Sequence, residues 1–190
     1  MTDLEKYIKI YFNGNNEELN QIGSFFRLAR LQKGDFFQKK GRYTNKLGFV
    51  KSGILREFTK INDKEITKWI ATKNSFIVDI SGFVFHQPAQ WNLQAITDCE
   101  IYVLNKSDYP KIKAIIPDWD DLEKKFIVKC FSVLEDRVMM HISMSAEERY
   151  SHFFDSNKEL FNLVPLQYIA SMLGMTPETL SRLRNKVMNS

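Results

Sequence analysis

Residues 165–187 read PLQYIASMLGMTPETLSRLRNKV, and this stretch decides the fold of the C-terminal part of the chain. A helix-turn-helix needs two short helices that cross closely and leave the second free to enter a DNA groove. Ala170 is small where the helices approach. Gly174 follows four residues later, where the first helix must end in a backbone that tolerates positive φ. Ile169, Leu173, Met175, Leu180 and Leu183 fall where the helices and their support must be apolar. Thr176 suits the N-cap of the second helix, and Pro177 suits its first turn, where no N–H partner is needed. Glu178, Arg182 and Lys186 then project at i, i+4 and i+8 from one face. So many constrained positions in so short a stretch separate this reading from a plain helical hairpin.

Outward from that stretch, composition sets bounds. A chain of 190 residues can build one good core or two small domains. Its 15 Phe point to a core filled with large rings. The formal net charge of +4 permits an anionic partner without requiring one. Residues 145–190 are balanced: Arg149, Lys158, Arg182, Arg184 and Lys186 stand against Glu147, Glu148, Asp155, Glu159 and Glu178. Only the second helix is net basic, so the pattern argues for DNA more strongly than the charge does. Cys99 and Cys130 belong to no metal-ligand or CxxC spacing and read as buried thiols in a reducing compartment. No apolar run approaches the roughly 20 residues of a membrane helix. MTDLEKYIK at the start lacks the apolar centre of a signal peptide. The expectation is a cytoplasmic protein with no membrane partner, no metal and no cofactor.

Residues 2–28 read as helical, with Leu4, Tyr7, Ile8 and Tyr11 on one amphipathic face and Leu19, Ile22, Phe25 and Phe26 on another, separated by NGNN. From Leu31 the pattern changes to short segments rich in Phe, Val, Ile and Thr, punctuated by Gly34, Gly41, Gly48 and Gly53. Such spacing predicts an antiparallel sandwich or barrel. Turn signals at Lys51-Ser-Gly53 and Asn62-Asp63 make 47–60 and 64–71 neighbouring strands; Trp91–Ala95 and Glu100–Leu104 are the last two. Asp108–Ile115 reads as a short helix stopped by Pro117. Asp118 then opens a long helix to about Ser143. Leu122, Phe126, Cys130, Val133 and Met140 form one apolar stripe on it, and Ile127, Phe131, Leu134 and Val138 form a second. A helix apolar on two sides is buried on two sides; a twin helix from a second copy is the simple partner for the second stripe. Ser145-Ala-Glu-Glu148 is a capping box that opens a helix from Ala146 to about Ser156, and Phe161–Val164 leads into the helix-turn-helix.

This order, and the strings MSAEERYSHFF and VPLQYIASMLGMTPETLSRLRNK, resemble the Crp/Fnr superfamily of bacterial transcription regulators over nearly the whole chain. The resemblance implies an α+β protein with an N-terminal double-stranded β-helix, a jelly-roll-like barrel of the cyclic-nucleotide-binding type. Its implied domains are 1–116 as the sensory β-roll, 117–144 as the dimerisation helix and 145–190 as the helix-turn-helix. The family's cyclic-nucleotide version carries Phe-Gly-Glu, whose Glu takes the ribose, and Arg-Ser/Thr-Ala, whose Arg takes the phosphate. Here Phe76-Ile77-Val78 aligns with the first and Ala89-Gln90-Trp91 with the second, so Val78 and Ala89 replace the two ligand partners. Losing the Arg alone removes a charge-assisted contact of about 1.5–3 kcal/mol. Cyclic AMP is therefore not expected as the effector. An iron–sulfur sensor needs N-terminal Cys, and none precedes Cys99; a haem sensor needs an axial ligand, and His86 reads as a loop residue. Phe76, Val78, Ile80, Phe85, Gln90, Trp91 and Leu93 are the candidate lining of a small-molecule effector pocket, or else plain core. The family usually follows the recognition helix with a β-hairpin wing, and with Ser190 a few residues after that helix a full wing is not expected.

Carried onto this sequence, the family's base-facing positions are Pro177, Glu178, Ser181 and Arg182. Arg182 can donate twice to guanine and Glu178 can accept from cytosine N4; the same two residues could instead form an i, i+4 ion pair. Thr176 and Thr179 suit phosphate oxygens, and Arg184 and Lys186 add sequence-independent attraction. The expected function is a non-enzymatic, homodimeric regulator that binds double-stranded DNA in sequence-specific fashion, with an unknown or absent effector. The alternatives are a cyclic-nucleotide-responsive regulator and a protein-interaction module on the same fold. A metal-dependent cupin needs several barrel His, and only His86 precedes the long helix.

Overall fold

The computed structural model of the chain describes residues 3–12 and 15–188. The described residues group into two compact units. One holds residues up to 56 together with 71–132; the other holds 57–70 together with 133–190.

The first unit opens with α1 (Asp3–Phe12) and α2 (Asn16–Ser24). Asn15 starts α2 through a capping box: its Oδ1 accepts from Glu18 N at 2.9 Å, and Glu18 Oε2 accepts from Asn15 N at 2.8 Å. Leu4, Ile8, Leu19 and Ile22 are buried, as the amphipathic spacing predicts. The side chains of Tyr7 and Tyr11, and residues 13–14 of the NGNN link, lie outside the described residues. Helix does not continue to residue 28: β1 (Arg27–Leu31) already pairs with β8 (Cys99–Asn105). The other strands are β2 (Phe36–Gln38), β3 (Lys46–Ser52), β4 (Leu55–Ile61), β5 (Lys64–Ala71), β6 (Phe76–Ile77) and β7 (Asn92–Ala95). They form two four-stranded sheets, ordered β1-β8-β3-β6 and β2-β7-β4-β5, an antiparallel sandwich roll.

The stretch 47–60 is not one strand. Gly53, at φ +90°, breaks it, and β3 and β4 go to different sheets. A Cβ at Gly53 would clash with the Asp98 carbonyl oxygen, so the break needs glycine twice over, for backbone angle and for space. β4 and β5 are neighbours, as expected of 64–71, through the Asn62-Asp63 turn with φ of 47° and 61°. A short helix, α3 (Ile80–Phe85), stands between β6 and β7. After β8 come α4 (Tyr109–Ile115) and α5 (Trp119–Ser143), whose residues up to Ser132 belong to the first unit. The first unit's core joins α1, α2, β3, β8, α4 and the start of α5, with Phe49, Leu104, Ile112, Trp119, Leu122 and Phe126 among its members. Phe76 bridges it, 5.0 Å from the rings of both Phe49 and Phe126.

In the second unit, Ser145 caps α6 (Ala146–Asn157) by the predicted capping box, with Glu148 Oε2 accepting from Ser145 N at 2.7 Å. Then follow α7 (Leu160–Leu163), α8 (Leu166–Met172) and α9 (Pro177–Met188). Tyr150, Phe161, Val164, Ile169, Leu173, Leu180 and Leu183 form its apolar centre. Arg137 of α5 joins β5 to this unit: its guanidinium donates to Lys68 O at 2.7 Å and lies 4.4 Å from the Trp69 ring centre. Ser171 Oγ accepts from Thr67 N at 2.9 Å. Among the described residues no helix is long and apolar enough to cross a membrane.

The two stripes of α5 fare differently. Leu122 and Phe126 are buried and Cys130 and Met140 half-buried, but Val133 of that stripe is exposed. The whole second stripe is exposed: Ile127, Phe131, Leu134 and Val138. Val128, Met139 and Ile142 add to it.

Candidate nucleic-acid interface

The turn between α8 and α9 is built from backbone outward. Gly174 adopts φ +67°. Its N–H donates to Ser171 O at 3.2 Å and that of Met175 to Ala170 O at 3.0 Å, the paired bonds of a Schellman motif. Side chains satisfy the remaining carbonyls at the end of α8. Arg149 Nε donates to Leu173 O at 2.9 Å, and His141 Nε2 lies 3.3 Å from Met172 O. Met175 leads directly to Thr176, whose Oγ1 accepts from Thr179 N at 3.2 Å and caps α9. Ala170 is fully buried at the crossing.

The turn therefore fixes which face α9 presents. Leu180 and Leu183 face inward, and Pro177, Glu178, Ser181, Arg182 and Asn185 bound a shallow, solvent-open concavity. Asn185 was not among the sequence-expected readers; its spacing of i+3 from Arg182 and i+7 from Glu178 is the signal that places it on the same face. Glu178 and Arg182 form no ion pair in the structure. The Glu178 carboxyl is held below the usual carboxylate range by its own backbone N–H and by the Thr176 hydroxyl, with a smaller contribution from Lys64. Arg182 is exposed to solvent. Thr179 is half-buried, its hydroxyl 3.2 Å from that of Thr176. Arg184 is half-buried and off the concave face. Lys186 pairs with Glu147 of α6 at 2.6 Å, so it also ties α9 to the start of that helix.

The candidate effector residues are spread over several environments. Leu93 is buried, Phe76 is in the core cluster's shell with Val78, and Trp91 is half-buried with its carbonyl accepting from Gln38 Nε2 at 3.1 Å. Ile80 and Phe85 of α3 are exposed, and so is Gln90. The residue that organises this segment is one the sequence reading passed over. Asp79, only 5% exposed, caps α3. Its Oδ1 accepts from Ser81 Oγ and Gly82 N at 2.9 Å each, and its Oδ2 from Gln90 N at 2.8 Å. At the other end, the Lys106 ammonium donates to the Phe83 and Val84 carbonyls, as suits a helix C-terminus. The chain's own charges hold both ends of the segment.

Residues 28–114 match the family model described as the cyclic nucleotide-binding domain. No curated protein matches the chain in sequence. Solved structures similar in fold include the following three. FixK2 from Bradyrhizobium japonicum is 16% identical with a TM-score of 0.71, covering 86% of this chain and 85% of its own. The c-di-GMP-responsive global regulator CLP from Xanthomonas campestris is 14% identical with a TM-score of 0.69, covering 92% of each chain. The catabolite activator protein of Thermus thermophilus is 18% identical with a TM-score of 0.60, covering 94% and 86%. Residues 28–114 thus resemble a cyclic nucleotide-binding domain, and the chain shares the fold of these solved regulators.

Proposed function

We propose that the protein is a cytoplasmic, homodimeric, sequence-specific DNA-binding regulator of transcription, read out through α9. The observation that carries this reading is the exposed polar face of α9, set on a buried apolar support by the Schellman turn at Gly174. A helix held this way offers Glu178, Ser181, Arg182 and Asn185 to base edges, while Thr176 and the helix N-terminus suit phosphate. Homodimerisation is supported by the exposed second stripe of α5, whose spacing of four, three and four residues is that of a coiled-coil seam. Two copies would then present two α9 helices to two half-sites.

Cyclic AMP is not the effector in this reading. Val78 and Ala89 offer neither a carboxylate nor a guanidinium, and the Gly82 and Gln90 amides already donate to Asp79. A buried carboxylate at that place repels a second anion. The test is an electrophoretic shift assay on random genomic fragments followed by selection from random duplexes. Recovery of a two-fold symmetric motif supports the reading, with affinity falling linearly in log salt. Uniform, sequence-blind retention, or none, refutes it.

A further inference from the structure

The first unit holds a cavity of about 390 Å³ bounded by β2, the 39–45 loop, the start of β3 and Asn105. No residue of the 76–93 segment or of α9 lines it. Its charged lining has one sign: Lys39, Arg42 and Lys46, with no Asp or Glu. Lys46 is half-buried, and burial pushes its ammonium below the usual lysine range. What it and Lys39 have as neighbours are rings: Lys46 Nζ lies 4.3 Å from the centre of Phe37, and Lys39 Nζ lies 4.8 Å from that of Phe36. A desolvated cation without a counter-ion is costly, and an anion entering the cavity relieves that cost.

A second observation is independent of charge. Thr44 and Gln38, 5% and 8% exposed, belong to the same wall. Thr44 Oγ1 and Gln38 Oε1 are buried without a hydrogen-bond partner. Buried polar atoms are nearly always paired, so two in one wall are exceptional. The wall is also stiff. Gly41 N donates to Ala89 O at 2.8 Å, Ala89 N to Arg42 O at 2.9 Å, and Lys106 N to Asn45 O at 2.7 Å. Lys40 N donates to Asn92 Oδ1 at 2.9 Å. A preformed wall spares a ligand the cost of ordering the loop.

We propose that this cavity binds a small aromatic anion, with a phosphate-type group at Arg42 and Lys46 and a flat ring against Phe36 and Tyr43. Cations alone would take any anion; the aromatic rings in the lining select one that carries a ring. The probe is phenyl phosphate, with inorganic phosphate and phenol as the charge-only and ring-only arms, titrated into the ¹⁵N-labelled full chain. Phenyl phosphate should move the amides of residues 38–46 and 105 saturably, and each half-probe should bind about tenfold more weakly or worse. Arg42→Gln, at an exposed position, should weaken phenyl phosphate about tenfold, the loss of one charge-assisted contact. Lys46→Gln should do the same, with amide dispersion reporting that the fold survives. The proposal is overturned by absence of saturable shifts in that segment at about 10 mM probe. It is equally overturned by phenol binding as tightly as phenyl phosphate, or by Arg42→Gln leaving the affinity unchanged.

Discussion

Replacing Phe131 by Glu should convert a dimer into monomers. In the single chain Phe131 is 58% exposed, in line with Ile127, Leu134 and Val138 at 39%, 48% and 48%. An aromatic side chain carries about 200 Å² of surface, so roughly 115 Å² of Phe131 is open to water; burying it contributes about 3 kcal/mol at ~25 cal/mol per Å². Each protomer supplies one, which gives about 6 kcal/mol per dimer and about four orders of magnitude in the dissociation constant. The introduced carboxylates would also face each other across the seam, so that figure is a lower bound. Phe126 is the wrong target, because it is 5% exposed and belongs to the protomer's own core; a charge there would unfold the first unit. Sedimentation velocity at micromolar concentration reads the outcome, with circular dichroism confirming that the helices persist. A wild-type protein that sediments as a monomer, or a Phe131→Glu variant that stays dimeric, would refute the argument from the exposed stripe.

Four further outcomes are expected. Arg182→Ala should cost about 1–3 kcal/mol of specific DNA affinity and relax selection at one G·C pair per half-site; identical base preferences from random duplexes would remove Arg182 as a reader. Gly174→Ala should destabilise by about 1–2 kcal/mol, because φ is +67° there and the new Cβ would sit 3.4 Å from His141 Cδ2; urea denaturation measures it. Cyclic AMP should give no binding isotherm in calorimetry at low-micromolar protein, and a well-defined one would show that another cation replaces the missing Arg. The Glu148 carboxyl is held below its usual range by the Ser145 amide and hydroxyl. Its capping contribution should therefore be present above the ordinary carboxylate range and be lost as pH falls through the lowered value; Glu148→Gln, followed by acid titration of helicity, tests that sign.

The α8–turn–α9 pair is legible in the sequence because its constraints are local. Ala170, Gly174, Thr176 and Pro177 each meet a backbone requirement within a few residues of themselves, and the observed bonds at 170–179 are the ones those requirements name. The capping boxes at Asn15 and Ser145 have the same character. The barrel is legible only as a class. Lys51-Ser-Gly53 announces a turn, but the assignment of β3 and β4 to separate sheets depends on β3 pairing with β8 some fifty residues on, and no local pattern carries that. α3 is hidden for the opposite reason. Its sequence ISGFVF has strand composition, and the helix exists because Asp79 caps it and Lys106 meets its last carbonyls.

The candidate sites divide along the same line. A face of α9 follows from helical spacing, so Glu178, Ser181 and Arg182 could be placed together from sequence, and Asn185 belonged to the same arithmetic. What spacing cannot decide is competition between partners. An i, i+4 Glu–Arg pair contributes only about 0.3–0.5 kcal/mol, whereas the amides at a helix N-terminus are donors that must find an acceptor. Glu178 sits in that first turn, where the amide and the Thr176 hydroxyl favour its charged form, and it makes no ion pair with Arg182. The consequence bears on recognition. An Arg already paired would have to give up its carboxylate before meeting a guanine, and its net contribution would shrink by that exchange. In the proposed complex an unpaired, exposed Arg182 would give up only water, so its full charge-assisted contact would be available to DNA. Lys186 is the contrasting case: in the proposed complex its ion pair with Glu147 would have to open before it met a phosphate, which would make it the weaker contributor of the two.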